Sequence, residues 1–119
     1  MANFKSAQLI TGSLTKTGTS AVALIPALDV KNEDRVSFQF YNDDADSGGD
    51  VVKVYGRLGT TSGTLASAAE WTQIGDNITV SGGASMLKSI ATTGLSWVGA
   101  TVTPATGSDN ITYAMLVQA

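Results

Sequence analysis

Residues 36–58, VSFQFYNDDADSGGDVVKVYGRL, constrain the fold more than any other stretch of this chain. Val36, Phe38 and Phe40 alternate with Ser37, Gln39 and Tyr41, the period-two signature of a half-buried strand. Val52, Val54 and Leu58 repeat the pattern, with Gly56 at the remaining inward position and Lys53, Tyr55 and Arg57 on the other face. The spacing predicts a hairpin. Its loop, Asn42–Asp50, is rich in turn formers and reads as too polar to be buried. Strands with one apolar face need a second layer to cover it, and the rest of the chain must supply that layer.

The remaining segments read as short strands between turns. Residues 4–15 predict a first strand around Leu9 and Ile10, and Ala21–Ile25 a second, stopped by Pro26, which cannot donate to a sheet ladder. Residues 59–70 read as a long loop or a short helix over Leu65–Glu70. Trp71–Ile74, Ile78–Val80, Met86–Ala91, Ser96–Thr103 and Ile111–Gln118 complete the strands. In the last of these, Ile111, Tyr113, Met115 and Val117 share one face. No sustained helical amphipathicity is present. The fold expected is all-β, an antiparallel β-sandwich of jelly-roll-like or immunoglobulin-like type with about eight strands. Residues 1–119 form one domain, with residues 1–10 as a candidate assembly arm.

Composition removes several function classes. There is no His and no Cys, so Ser–His–Asp and Cys–His arrangements, thiolate metal sites and disulfides are all excluded. Lys88-Ser89 lacks any context that would depress a lysine pKa, and no carboxylate dyad stands out. The expectation is a protein that is not an enzyme, with no catalytic residues and no cofactor. Seven scattered basic residues against ten acids give a net charge of −3, a poor basis for gripping phosphates, so no nucleic-acid partner is expected. No apolar run approaches a membrane span, and the opening MANFKSAQLI lacks the apolar core of a signal peptide. Synthesis in a host cytoplasm without membrane association is therefore expected. Charged residues make up only 14% of the chain, which suits a surface that lies against other protein.

Two features invite a ligand reading. Asp43, Asp44, Asp46 and Asp50 crowd one loop, and Asp44, Asp46 and Asp50 around a glycine turn form a weak calcium candidate, without the closing Glu of an EF-hand. The bland alternative is a mobile, solvated loop. Trp71, Trp97, Tyr41, Tyr55 and Tyr113 either pack in the core or make a platform for sugar rings. Phe4, Leu9 and Ile10 near the N-terminus are the interface candidates.

The segment VKVYGRLGTTSGTLASAAEWTQIG over 52–75, with GLSWVGATVT and TGSDNITYAMLV after it, resembles small β-sandwich virion proteins of tailed bacteriophages. The V-x-V-x-G…W pattern is also similar to discoidin-like carbohydrate-binding modules. The phage resemblance implies a capsid decoration (cement) protein, or a head-fibre or tail accessory. Its partner would be the major capsid protein or another virion protein, its location the virion, and its own state a homo-oligomer, a trimer. The alternative is a sugar- or receptor-binding module.

Overall fold

The computed structural model describes residues 7–44, 48–63, 65 and 70–119. The first four strands are β1 (Ala7–Thr15), β2 (Val22–Asp29), β3 (Arg35–Asn42) and β4 (Asp50–Arg57). Five more follow: β5 (Thr72–Gln73), β6 (Ile78–Val80), β7 (Ser85–Ala91), β8 (Trp97–Thr103) and β9 (Asn110–Gln118). All pair antiparallel, β1 with β9, β2 with β8, β3 with β7, and β4 with β5 and β6. The chain is thus one long ribbon that runs out through β4 and returns from β5. Winding that ribbon lays β9 beside β3 and β8 beside β4. The result is two sheets, β1-β9-β3-β7 and β2-β8-β4-β5, with β6 also on β4. This is jelly-roll connectivity, the first of the two expected types.

The core forms where the two inner faces meet. Val36, Phe38, Phe40, Ile90, Ile111, Met115 and Val117 come from one sheet. Leu24, Ile25, Val52, Val54, Ile78, Val80, Val98, Ala100 and Val102 come from the other. Phe38 and Phe40 stack with ring centroids 5.7 Å apart. Burying side chains of this size contributes roughly 1.5–3 kcal/mol each.

Three expectations are corrected. Residues 36–58 are not a hairpin: β3 and β4 lie in opposite sheets and share no ladder. Alternation is satisfied equally by strands on facing sheets, and the chain passes from one sheet to the other between Asn42 and Asp50. Leu58 does not continue the inward row; it lies past the end of β4 and is 69% exposed. Pro26 does not end β2. The strand runs on to Asp29 because β2 is an edge strand, and its register with β8 slips on both sides of Ile25. The helix considered for Leu65–Glu70 falls mostly outside the described residues.

Candidate functional site

The inward rows of β3 and β4 end on polar residues. Asn42 follows Val36, Phe38 and Phe40, and Asp50 precedes Val52 and Val54. Both are fully buried, so both need partners there. Lys16, the residue after β1, supplies one: its ammonium donates to Asn42 Oδ1 at 3.0 Å and to Asp50 Oδ2 at 3.0 Å. The Lys16 and Asp50 side chains are both wholly inaccessible to solvent. Asp50 Oδ1 accepts from the Ala105 amide at 3.0 Å, and Asn42 Nδ2 donates to the Val80 carbonyl at 3.0 Å. Asp44 extends the network. Its amide donates to Asn42 Oδ1, and its Oδ2 accepts from the Thr106 hydroxyl at 2.6 Å and from Ser108 at 3.3 Å.

One end of the sandwich is therefore held by a buried polar clamp joining β1, β3, β4 and the β8–β9 turn. The Asn42–Asp50 loop is accordingly not too polar to bury: Asn42, Asp44 and Asp50 are all inside, made tolerable by one ammonium and three donors from the 105–108 turn. Of the calcium candidates, Asp44 and Asp50 serve this clamp and Asp46 lies outside the described residues. Among the described residues no group of three or more acidic side chains is placed to share a metal ion. Sequence reading missed Lys16. The signal was available: an Asn and an Asp at inward strand positions require a buried donor.

The aromatic residues do not gather on one surface. Trp71 is buried, and its indole N–H has no hydrogen-bond partner among the described residues. Trp97 is half-buried; its indole N–H donates to the Gly59 carbonyl at 3.1 Å, and the Lys31 ammonium sits 4.3 Å over its ring. The amide of Lys31 also donates to Asp29 Oδ1 at 3.0 Å, and its ammonium pairs with Oδ2 at 3.1 Å. These two hydrogen bonds, the backbone one first, hold the Asp29 carboxyl below the usual aspartate value. Tyr113 packs against the core beside Gly12, where any Cβ would overlap its ring. Of the five Trp and Tyr side chains only Tyr41 is exposed.

The interface candidates separate. Phe4 lies outside the described residues. Leu9 points outward and is 66% exposed, whereas Ile10 points inward against the core. Residues 7–10 belong to β1, in register with β9 from Ala7↔Gln118 onward, so this part of the candidate arm is sheet.

The outer faces of the two sheets differ. Over β8 and β4 the chain covers itself: Leu65 is buried against Gly99, and Arg57 reaches back to the Ser62 carbonyl and to Glu70. The β1-β9-β3-β7 face has a shallow hollow of about 510 Å³ lined by hydroxyl and amide side chains and Tyr41. Beside it lie exposed Leu9, Leu87 and Leu116.

No protein-family model matches the sequence, and no curated protein matches it. Solved structures do share the fold. The SPBc2 prophage-derived protein YomS is similar over the whole of both chains, with a TM-score of 0.60 and 13% identity. The PBSX exported protein XepA is similar over 96% of this chain and 37% of its own, with a TM-score of 0.66 and 12% identity. A chain of the Bacillus endospore appendages, which are disulfide-linked pili, is similar over 98% of this chain and 89% of its own, at a TM-score of 0.56 and 13% identity.

Proposed function

We propose that this chain is a non-enzymatic structural protein of a bacteriophage or prophage-derived particle, located in the virion, where it decorates and cements the head by bridging subunits. The observation that carries the reading is a jelly roll with one outer face left bare and nearly uncharged, a surface made to lie against protein. The end-to-end likeness to a prophage-derived protein supports the phage setting. The appendage chain offers a precedent for the fold in an assembled fibre. Its disulfide linkage has no counterpart here, because this chain has no cysteine. A protein that binds only the assembled shell stabilises it by mass action. The partner is the major capsid protein or another virion protein, and the protein itself is oligomeric; the phage resemblance alone implies a trimer, and no feature of the described residues favours three copies over two.

The test is to add the purified protein to particles lacking it. The expected outcome is saturable binding, with heads that release their genome at a higher temperature. Particles that neither bind the protein nor contain it by mass spectrometry would refute the reading. Sugar binding has one observation in its favour, the hollow beside Tyr41. Glycan binding that vanishes in Tyr41→Ala, with no particle binding, would establish it instead.

A further inference from the structure

The bare face is built from four segments of the chain brought into register. Leu9 lies across from Leu116, which lies across from Ser37, and Gln39 lies across from Leu87. Of all the outward positions on β1, β9, β3 and β7, only Arg35 carries a charge. It sits at one end, its guanidinium donating to Ser89. Leu87 is 76% exposed and Leu9 66%, on strands that are otherwise well packed beneath. A soluble surface normally spreads charge over such a face, and three uncovered leucines beside hydroxyls are a cost unless something covers them.

We propose that this face is a two-fold contact with a second copy of the chain. The proposal rests on the assembly reading above and names its surface. Area supports a second copy. Nine-residue strands and four-strand width give a face of about 30 Å by 19 Å, so two copies hide roughly 1,100 Å², at the lower edge of a specific interface. Sheets pack face to face in this way at a small angle. Charge supports it too. A two-fold axis lying across the strands carries each Arg35 to the Tyr41 end of the other copy, next to exposed Asp43, so the two guanidinium groups are kept apart and each meets a ring and a carboxylate. The polar hollow alone would suit a sugar, but the leucines that flank it would not.

Sedimentation equilibrium of the full chain from micromolar to millimolar concentration tests this. The expected result is a two-copy species whose dissociation constant rises at least about tenfold in Leu87→Glu and in Leu9→Lys, both exposed enough to leave folding intact, and is unchanged in Thr60→Glu on the other side. Because the chain has no cysteine, Gln39→Cys at the centre of the face should oxidise to a covalent dimer while Thr60→Cys does not. A monomer throughout, a three-copy species, or association untouched by Leu87→Glu would overturn the proposal. Association without particle binding leaves the face standing and removes the virion reading; particle binding by a strict monomer does the reverse.

Discussion

Replacing Lys16 by methionine tests whether the clamp is closed as described. The substitution keeps the length and apolar stem of the side chain and removes the ammonium. Asp50 then keeps its amide donor from Ala105 but loses the buried ammonium beside it, and Asn42 Oδ1 keeps the Asp44 amide. Losing one partner of a buried ion pair costs about 3–5 kcal/mol. Against a total stability of roughly 5–15 kcal/mol that is a large share. For a chain of this size it lowers the melting temperature by on the order of 10–20 °C. Asp50→Asn added to Lys16→Met removes the buried negative charge while the side-chain oxygen can still accept from Ala105. The double variant should therefore be more stable than Lys16→Met alone. Urea denaturation of the four proteins, read as a double-mutant cycle, measures the coupling. A Lys16→Met cost under about 1 kcal/mol, or purely additive effects, would mean that water already reaches this end of the sandwich and would refute the argument.

Two further outcomes follow from single contacts. Asp29 should titrate below the usual aspartate value in the folded protein. Because its folded pKa is depressed, its contribution to stability is present above the unfolded value and is lost as pH falls through the folded one; carboxyl NMR should show a low midpoint that rises only part of the way in Lys31→Ala, because the backbone N–H donor remains. Leu58→Ser should change stability by less than about 0.5 kcal/mol, whereas Val54→Ala, from the fully buried row of the same segment, should cost about 1–3 kcal/mol; equal effects by chemical denaturation would mean that β4 extends further than Arg57.

The strand content was legible because alternation is a local property. Val36, Phe38 and Phe40, Val98, Ala100 and Val102, and Ile111, Met115 and Val117 all face inward as their spacing required. Which strand pairs with which was not legible, because a period of two is satisfied by a neighbour in the same sheet or by a facing one. The arch between β3 and β4 and the continuation of β2 through Pro26 are both of this kind. They depend on edges and partners that only the wound ribbon defines. The clamp was half legible. Asp44 and Asp50 drew attention as a carboxylate cluster, but the ammonium that meets Asp50, Lys16, is 34 residues from it along the chain.

The low charge content has the same character. Spread evenly, so few charges would describe a merely bland surface. The registers show that they are instead unevenly placed: Lys53 and Arg57 lie on β4, where Glu70 pairs with Arg57, while segments 7–15 and 110–118 contribute no charge at all to the other sheet. Only antiparallel pairing of the two ends of the chain, β1 on β9, sums those neutral outward positions into one surface, and β3, entering from the middle, adds a single arginine at its rim. A face assembled from both termini exists only in the finished fold.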